Sequence, residues 1–174
     1  MATLDWTLIL LRIVHVGSAM VWFGGAIIGG FFLSPTASAL GDSAQPFMDH
    51  LMRRRRMGLV FPIVGALTVL AGAILYWRDS GGLQPAWIAS PTGLAFTVGG
   101  GAAIASFALG FVLVAPGVAE QTAVRNELAV GGGPPSAGQL DRLAHADRLM
   151  RLATRVDLPL ILLAGLMMST ARYL

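Results

Sequence analysis

Residues 8–33 read LILLRIVHVGSAMVWFGGAIIGGFFL. A helix needs roughly 20 apolar residues to cross the ~30 Å hydrocarbon core of a bilayer, so this stretch predicts a transmembrane helix. It also contains a histidine, His15. An ionisable group at that depth is energetically costly and therefore indicates a functional site, most readily as an axial ligand of a bound metal cofactor.

The composition of the chain is that of a membrane protein. Of its 174 residues, 55% are hydrophobic and 12% are charged, and the mean hydropathy is +0.71. A soluble domain carries about 25% charged residues, so we expect this chain to lie in a lipid bilayer. It contains no cysteine, which excludes disulfides, thiolate zinc sites, iron–sulfur clusters and cysteine nucleophiles.

Four apolar segments are long enough to span the bilayer, at about 7–33, 58–77, 93–118 and 156–173. They predict one domain over residues 1–174 in the all-α class, built as an integral membrane four-helix up-and-down bundle. We expect no cleaved signal peptide, because no positive residue precedes the first span and the span is too long for a signal sequence.

The arginines outside the spans predict the orientation of the bundle. All twelve basic residues are arginine, and Arg78 and Arg172 lie on the side of the termini. Because positive residues concentrate on the cytoplasmic side, we expect a bacterial-type inner (plasma) membrane protein with both termini outside. The residues on the cytoplasmic side are Arg53, Arg54, Arg55, Arg56, Arg125, Arg142, Arg148, Arg151 and Arg155.

The cytoplasmic segments are predicted to form helical extensions of two spans. Pro46 can open a helix that runs straight into the second span. Ser136 and Gln139 fit a capping box that starts a helix leading into the fourth span. Ser90 offers a similar start for the third span, and the glycines at 131–133 predict a hinge.

Arg12, His15 and Trp22 are predicted to share one face of the first helix, because residues three and four apart stack. At 1.5 Å per residue from Trp6, His15 is roughly 13 Å inside the bilayer. Histidine can ligate iron, arginine can pair with a propionate and tryptophan can pack against a macrocycle, so this face predicts a haem b site. The alternative is a neutral His15 hydrogen-bonded to a neighbouring helix, with Arg12 reaching toward the headgroups.

Other spans offer candidates at a similar depth for the rest of this site. Gly100 lies in a run of three glycines that would let a flat ring approach the backbone. Met167 is a candidate second axial ligand for the haem iron, with Met168 as an alternative, although methionine at such positions usually serves packing. The pattern identifies no catalytic residue.

His50 and His145 lie on the predicted cytoplasmic extensions, with Asp49 and Asp141 near them in sequence. These side chains either form a metal site or are solvated surface residues. The arginine run at 53–56 indicates a segment held at an anionic membrane surface. Nucleic-acid binding is not expected of a membrane-embedded chain.

Segments of three spans resemble the HemJ-type protoporphyrinogen oxidases and the related CopD-like four-helix membrane proteins. The first helix of that pattern has a basic residue three positions before a histidine, then a Trp-x-x-Gly and a Leu-Pro at its end. The resemblance covers roughly half of the chain. The matching residues are 12–16 (RIVHV), 22–25 (WFGG), 33–35 (LSP), 52–56 (MRRRR) with Pro62 and Gly65, and 156–159 (VDLP).

The resemblance implies a haem b ligated by His15 and the oxidation of a porphyrinogen, with electrons leaving to quinone or a respiratory chain. The CopD-like branch implies copper handling instead. HemJ-type proteins carry a functionally important lysine in the third helix, whereas this chain has no lysine. The acidic residue of the fourth-helix motif is here the shorter Asp157. These departures count against the oxidase activity and leave haem binding open.

Three functions remain as hypotheses. The first is a haem-b-binding, electron-transferring membrane protein, acting as a homo-oligomer or with other membrane subunits. The second is a structural membrane subunit without a cofactor. The third is a porphyrinogen-oxidising enzyme or a copper-handling protein.

Overall fold

Four long helices dominate the part of the chain that the structure describes. The computed structural model covers residues 5–174 and, within them, every side chain except that of Asp42, so residues 1–4 of the predicted domain lie outside the described residues. The long helices are α1 (Trp6–Leu40), α2 (Met57–Asp79), α3 (Pro91–Gly131) and α4 (Ala137–Tyr173), each long and apolar enough to cross a membrane. Residues 5–174 contain no strand. The predicted all-α class with four spanning helices is confirmed.

Consecutive long helices run antiparallel and pack in a closed ring. α1 contacts α2, α2 contacts α3, α3 contacts α4, and α4 returns to α1. The closest pairs are α1 with α2 and α3 with α4. We call the end of the bundle that carries residues 34–57 and 115–155 the arginine-rich end, and the other end the terminal end.

α1 and α3 each contain one wide, π-helical turn, and a proline follows it in both cases. The wide turns are Gly29–Leu33 in α1 and Gly110–Val114 in α3. Pro35 and Pro116 lack the N–H that would bond to the carbonyl four residues back, and their rings crowd that carbonyl. A widened turn lets each helix pass its proline without ending.

The helices at the arginine-rich end differ from the prediction. α1 continues past residue 33 to Leu40, and α3 continues past residue 118 to Gly131. The extension of α4 is as predicted, since the capping box formed by Ser136 and Gln139 is present at its start. The extended helices are therefore the first, third and fourth rather than the second and fourth.

The prediction that a helix from Pro46 runs straight into the second span is wrong. The chain forms a short helix, Gln45–Asp49, and a wide turn, His50–Arg54, and it then breaks at Arg56, whose φ of 54° is left-handed. In a continuous helix Arg53 and Arg56 would stack three positions apart, and like charges at that spacing are destabilising. The break separates them, but it lacks the glycine or asparagine that usually signals a helix end.

The terminal end carries aromatic side chains and an ion pair. Trp6 and Tyr173 are exposed there, as expected of side chains at a membrane interface. Asp5 caps α1 by accepting a hydrogen bond from the N–H of Leu8, and it also pairs with Arg78. These two hydrogen bonds, led by that from Leu8, hold the pKa of Asp5 below its usual range.

At every contact between long helices, a large side chain of one helix lies against a glycine of its neighbour. A Cβ added to Gly25 would lie 2.0 Å from the Cζ atom of Phe61, so the glycine is what admits the ring. Small residues let membrane helices approach in this way. The pairs are Phe61 with Gly25, Phe107 with Gly65, Met167 with Gly99, Leu158 with Gly30 and Phe23 with Gly165.

The first prediction compares two adjacent glycines of α1. Gly25→Ala places a methyl group inside the Phe61 ring position and should lower the free energy of unfolding by about 1–3 kcal/mol, as overpacking does. Gly24 has no neighbouring atom within 4 Å of the same position, so Gly24→Ala should be neutral or stabilising because alanine favours a helix. Thermal unfolding in detergent measures both variants. Equal melting temperatures would contradict the close contact between Gly25 and Phe61.

Candidate functional site

His15 lies at the contact between α1 and α2, half-buried. Its Nδ1 atom is 2.8 Å from the carbonyl oxygen of Thr68. A carbonyl only accepts hydrogen bonds, so Nδ1 carries a proton and donates it. The ring lies so close to α2 that a Cβ at Gly72 would be 2.8 Å from the Cε1 atom of His15. In the neutral ring, the second nitrogen, Nε2, then holds a free lone pair.

Two buried hydroxyls continue this contact one turn deeper. The hydroxyl of Thr68 lies 2.9 Å from the Oγ atom of Ser18 and 2.8 Å from the carbonyl of Val64 in its own helix, and it shares its proton between them. Ser18 donates to the carbonyl of Val14 over 2.6 Å. We call His15, Ser18 and Thr68 the polar cluster. It joins α1 to α2 through two hydrogen bonds at a depth where lipid offers no partner for polar groups.

Trp22 lies beyond the polar cluster and is buried, with 8% of its surface exposed. Its ring meets that of Phe107 edge-on, with the ring centroids 6.0 Å apart and the planes at 85°. It also lies beside Gly65, where a Cβ would be 3.5 Å from the indole. Trp22 therefore packs between the first three helices.

Arg12 lies one turn from His15 toward the terminal end of α1 and is exposed. Among the described side chains, no carboxylate lies within salt-bridge distance of its guanidinium. The predicted face of α1 therefore runs from the exposed cation of Arg12, through the half-buried imidazole of His15, to the buried indole of Trp22.

Gly100 and Met167 both lie at the contact between α3 and α4, but Met167 contacts Gly99, and Gly100 lies beside Met168. The Cβ atom of Met167 would be 3.0 Å from a Cβ at Gly99, and the Cε atom of Met168 would be 3.8 Å from one at Gly100. His15 instead bonds and packs across the contact between α1 and α2. The structure therefore divides the predicted site residues between two helix pairs.

The two remaining histidines, His50 and His145, are exposed. Asp49 pairs with Arg125 at 3.5 Å and with Arg53 at 4.0 Å. Among the described side chains, no group of three or more histidines, aspartates or glutamates lies close enough to hold a metal ion.

A second polar contact crosses the bundle between α3 and α4, where Ser106 donates a hydrogen bond to Asp157. Sequence reasoning singled out Asp157 but missed Ser106. Their similar depth in the membrane could have predicted the contact. Both residues lie closer to the arginine-rich end of their helices, and polar side chains within membranes tend to pair.

A cavity of about 610 Å³ opens at the arginine-rich end, and none of the residues of the polar cluster lines it. Asp147 accepts a hydrogen bond from Gln121 over 2.9 Å at its wall. The other polar lining residues are Gln45, Asp49 and Arg125, and the apolar ones include Leu128, Leu140 and Leu143.

These features define a polytopic helical membrane protein with a histidine-centred polar cluster between its first two helices. No protein-family model, curated protein or solved structure gives a significant match to the chain. The function must therefore be argued from the cluster itself.

The second prediction concerns the hydroxyl of Thr68. Thr68→Val keeps the shape of the side chain but leaves Ser18 without its donor from α2, so the free energy of unfolding should fall by about 0.6 kcal/mol, the mean for hydrogen bonds between membrane helices. Thr154→Val is the matched control, because the Thr154 hydroxyl bonds to Met150 in its own helix. Denaturant unfolding in mixed micelles measures both, and an equal loss in the control would contradict the proposed bond between helices.

Proposed function

We propose that the protein binds haem b through the Nε2 atom of His15 and transfers electrons within the membrane. The observation that carries the proposal is the hydrogen bond from Nδ1 of His15 to the carbonyl of Thr68. Histidines that ligate metals almost always donate their other ring N–H to a carboxylate, a carbonyl or water, which fixes the tautomer and the ring orientation. His15 is held in that manner.

The Nε2 atom of His15 is also accessible to a ligand. Within residues 5–174 it accepts no hydrogen bond, yet no described side-chain nitrogen or oxygen is both buried and without a partner. Nε2 therefore reaches the surface of the α1–α2 pair.

In this proposal Arg12 pairs with a haem propionate, because it is an exposed cation one turn from His15. The haem supplies one-electron chemistry at its iron. The chain holds the imidazole in the ligating tautomer through the carbonyl of Thr68 and offers the Arg12 guanidinium to the carboxylate. Met167 and Gly100 remain predictions for the second side of the haem.

A structural subunit without a cofactor is the second candidate function. It is favoured by the way glycines and large side chains occupy the helix contacts, since His15 itself lies against Gly72 as Phe61 lies against Gly25. In that function, the imidazole serves packing and the hydrogen bond to Thr68.

The third prediction separates these two functions. Purified full-length protein should show a Soret band and a haem b pyridine haemochrome spectrum, and His15→Ala should lose both. His50→Ala and His145→Ala should keep them, because those exposed histidines lie outside the polar cluster.

Two further measurements guard against loss of the fold in the His15 variant. Because a ligand that binds the folded protein raises its melting temperature, the melting temperature of the haem-free form shows whether the bundle is intact. Arg12→Gln, at an exposed position, should lower haem occupancy and leave the haem-free melting temperature unchanged. A colourless wild-type protein after expression with excess haem, or unchanged haem content in His15→Ala, would support the structural subunit instead.

We also infer that the chain lies in a bacterial-type plasma membrane with the arginine-rich end in the cytoplasm and both termini outside. The support is the distribution of arginines, of which nine lie in the segments 53–56 and 125–155 and two, Arg78 and Arg172, lie at the terminal end. Positive residues near membrane spans are retained on the cytoplasmic side.

The fourth prediction uses the absence of cysteine from the chain. In intact cells, a membrane-impermeant thiol reagent should label Gln84→Cys at the terminal end. Ser43→Cys and Gly133→Cys, at exposed positions of the arginine-rich end, should react only after permeabilisation. The reverse pattern would invert the proposed orientation.

A further inference from the structure

The arginines fall into two sets according to their partners. Arg78, Arg125 and Arg142 pair with carboxylates and fasten segments of the fold. Arg53 also pairs with Asp49, at 4.0 Å. The other eight arginines are exposed, and no described carboxylate lies within 4.0 Å of them; six of these eight lie at the arginine-rich end. We call these six the free arginines: Arg54, Arg55, Arg56, Arg148, Arg151 and Arg155.

The fold brings the free arginines from two distant segments to one end of the bundle. Phe61 of α2 meets Gly25 of α1, and Leu158 of α4 meets Gly30. Counting back along α2 and α4 at 1.5 Å per residue, Arg56 and Arg155 lie at nearly the same height along α1, about 4.5 Å apart in that direction.

The free arginines of α4 lie along one face of the helix. Arg148, Arg151 and Arg155 are three and four residues apart, so they share one face of the helix. Those of the 54–56 segment lie where the helix breaks, at the left-handed Arg56. Together the two segments place the six guanidinium groups near the end of the apolar helices, and we call this group of side chains the arginine belt.

Exposed apolar side chains accompany this belt. Leu40, Phe47 and Met52 are 56%, 57% and 38% exposed, on the segment that leads into the arginine run. Segments that lie in a membrane interface have this composition, with apolar side chains in the acyl region and cations among the headgroups.

We infer that the free arginines bind the headgroups of anionic phospholipids at the arginine-rich end. Guanidinium groups bind phosphate oxygens bidentately and lose little hydration on doing so. A soluble anion would satisfy the charges but would give no reason for the exposed Leu40, Phe47 and Met52. A phospholipid satisfies both, because its acyl chains lie where those side chains enter.

The fifth prediction is a lipid preference that depends on both segments. Full-length protein in micelles with equal amounts of phosphatidylglycerol and phosphatidylcholine should retain phosphatidylglycerol in native mass spectrometry. Arg54→Gln/Arg55→Gln and Arg148→Gln/Arg151→Gln should each lower that preference by up to about 25-fold, or fivefold per arginine, from ~1 kcal/mol for each cation near an anionic surface.

The control is Arg78→Gln/Arg172→Gln, which removes two charges at the terminal end and should leave the preference unchanged. The two double variants at the arginine-rich end should keep the wild-type melting temperature in phosphatidylcholine micelles, whereas the control should melt at a slightly lower temperature because Arg78 pairs with Asp5. The inference is overturned if the wild type shows no preference, or if only one of the two segments affects it. It is also overturned if the control loses the preference to the same extent. Displacement of the lipid by excess inorganic phosphate would assign the arginines to soluble anions and overturn it as well.

Discussion

The bundle depends on the fit of large side chains against glycines at its helix contacts. Helices already in lipid gain little from the hydrophobic effect when they associate, because lipid tails are as apolar as leucine, so close packing has to hold them together. Phe61 against Gly25 and Phe107 against Gly65 show the arrangement, which recurs at each side of the ring of helices. The exposed surface can then consist of large apolar residues such as Ile13, Met20 and Leu70 without loss of cohesion.

The same packing positions the polar cluster. His15 approaches the backbone of α2 because residue 72 is a glycine, and only at that distance can Nδ1 reach the carbonyl of Thr68. The buried hydroxyls of Ser18 and Thr68 bond to one another for the same reason. Close helix approach thus creates a site in which one nitrogen of the imidazole is held by the backbone and the other is left accessible, which is the chemistry on which the haem proposal rests.

Several local features were readable without the fold. An N-cap serine before a proline placed the start of α3, and a capping box placed the start of α4. The predicted second span, 58–77, lies within two residues of α2 at both ends. The continuation of α1 through Pro35 and of α3 through Pro116 was not readable, because a proline usually argues for a helix end. The break at Arg56 was also missed, since nothing about an arginine signals a left-handed residue.

The sequence by itself determined that this is a four-span helical membrane protein with a histidine inside its first span, because hydrophobic length and the cost of a buried ionisable group are properties of each segment alone. Only the tertiary structure decided what that histidine touches. Glycines and large side chains fix the relative heights of neighbouring helices along the bundle. Those heights bring His15 to Thr68, Ser106 to Asp157, and the two arginine segments to the same end. Those heights are set jointly by two helices, so no single segment encodes them.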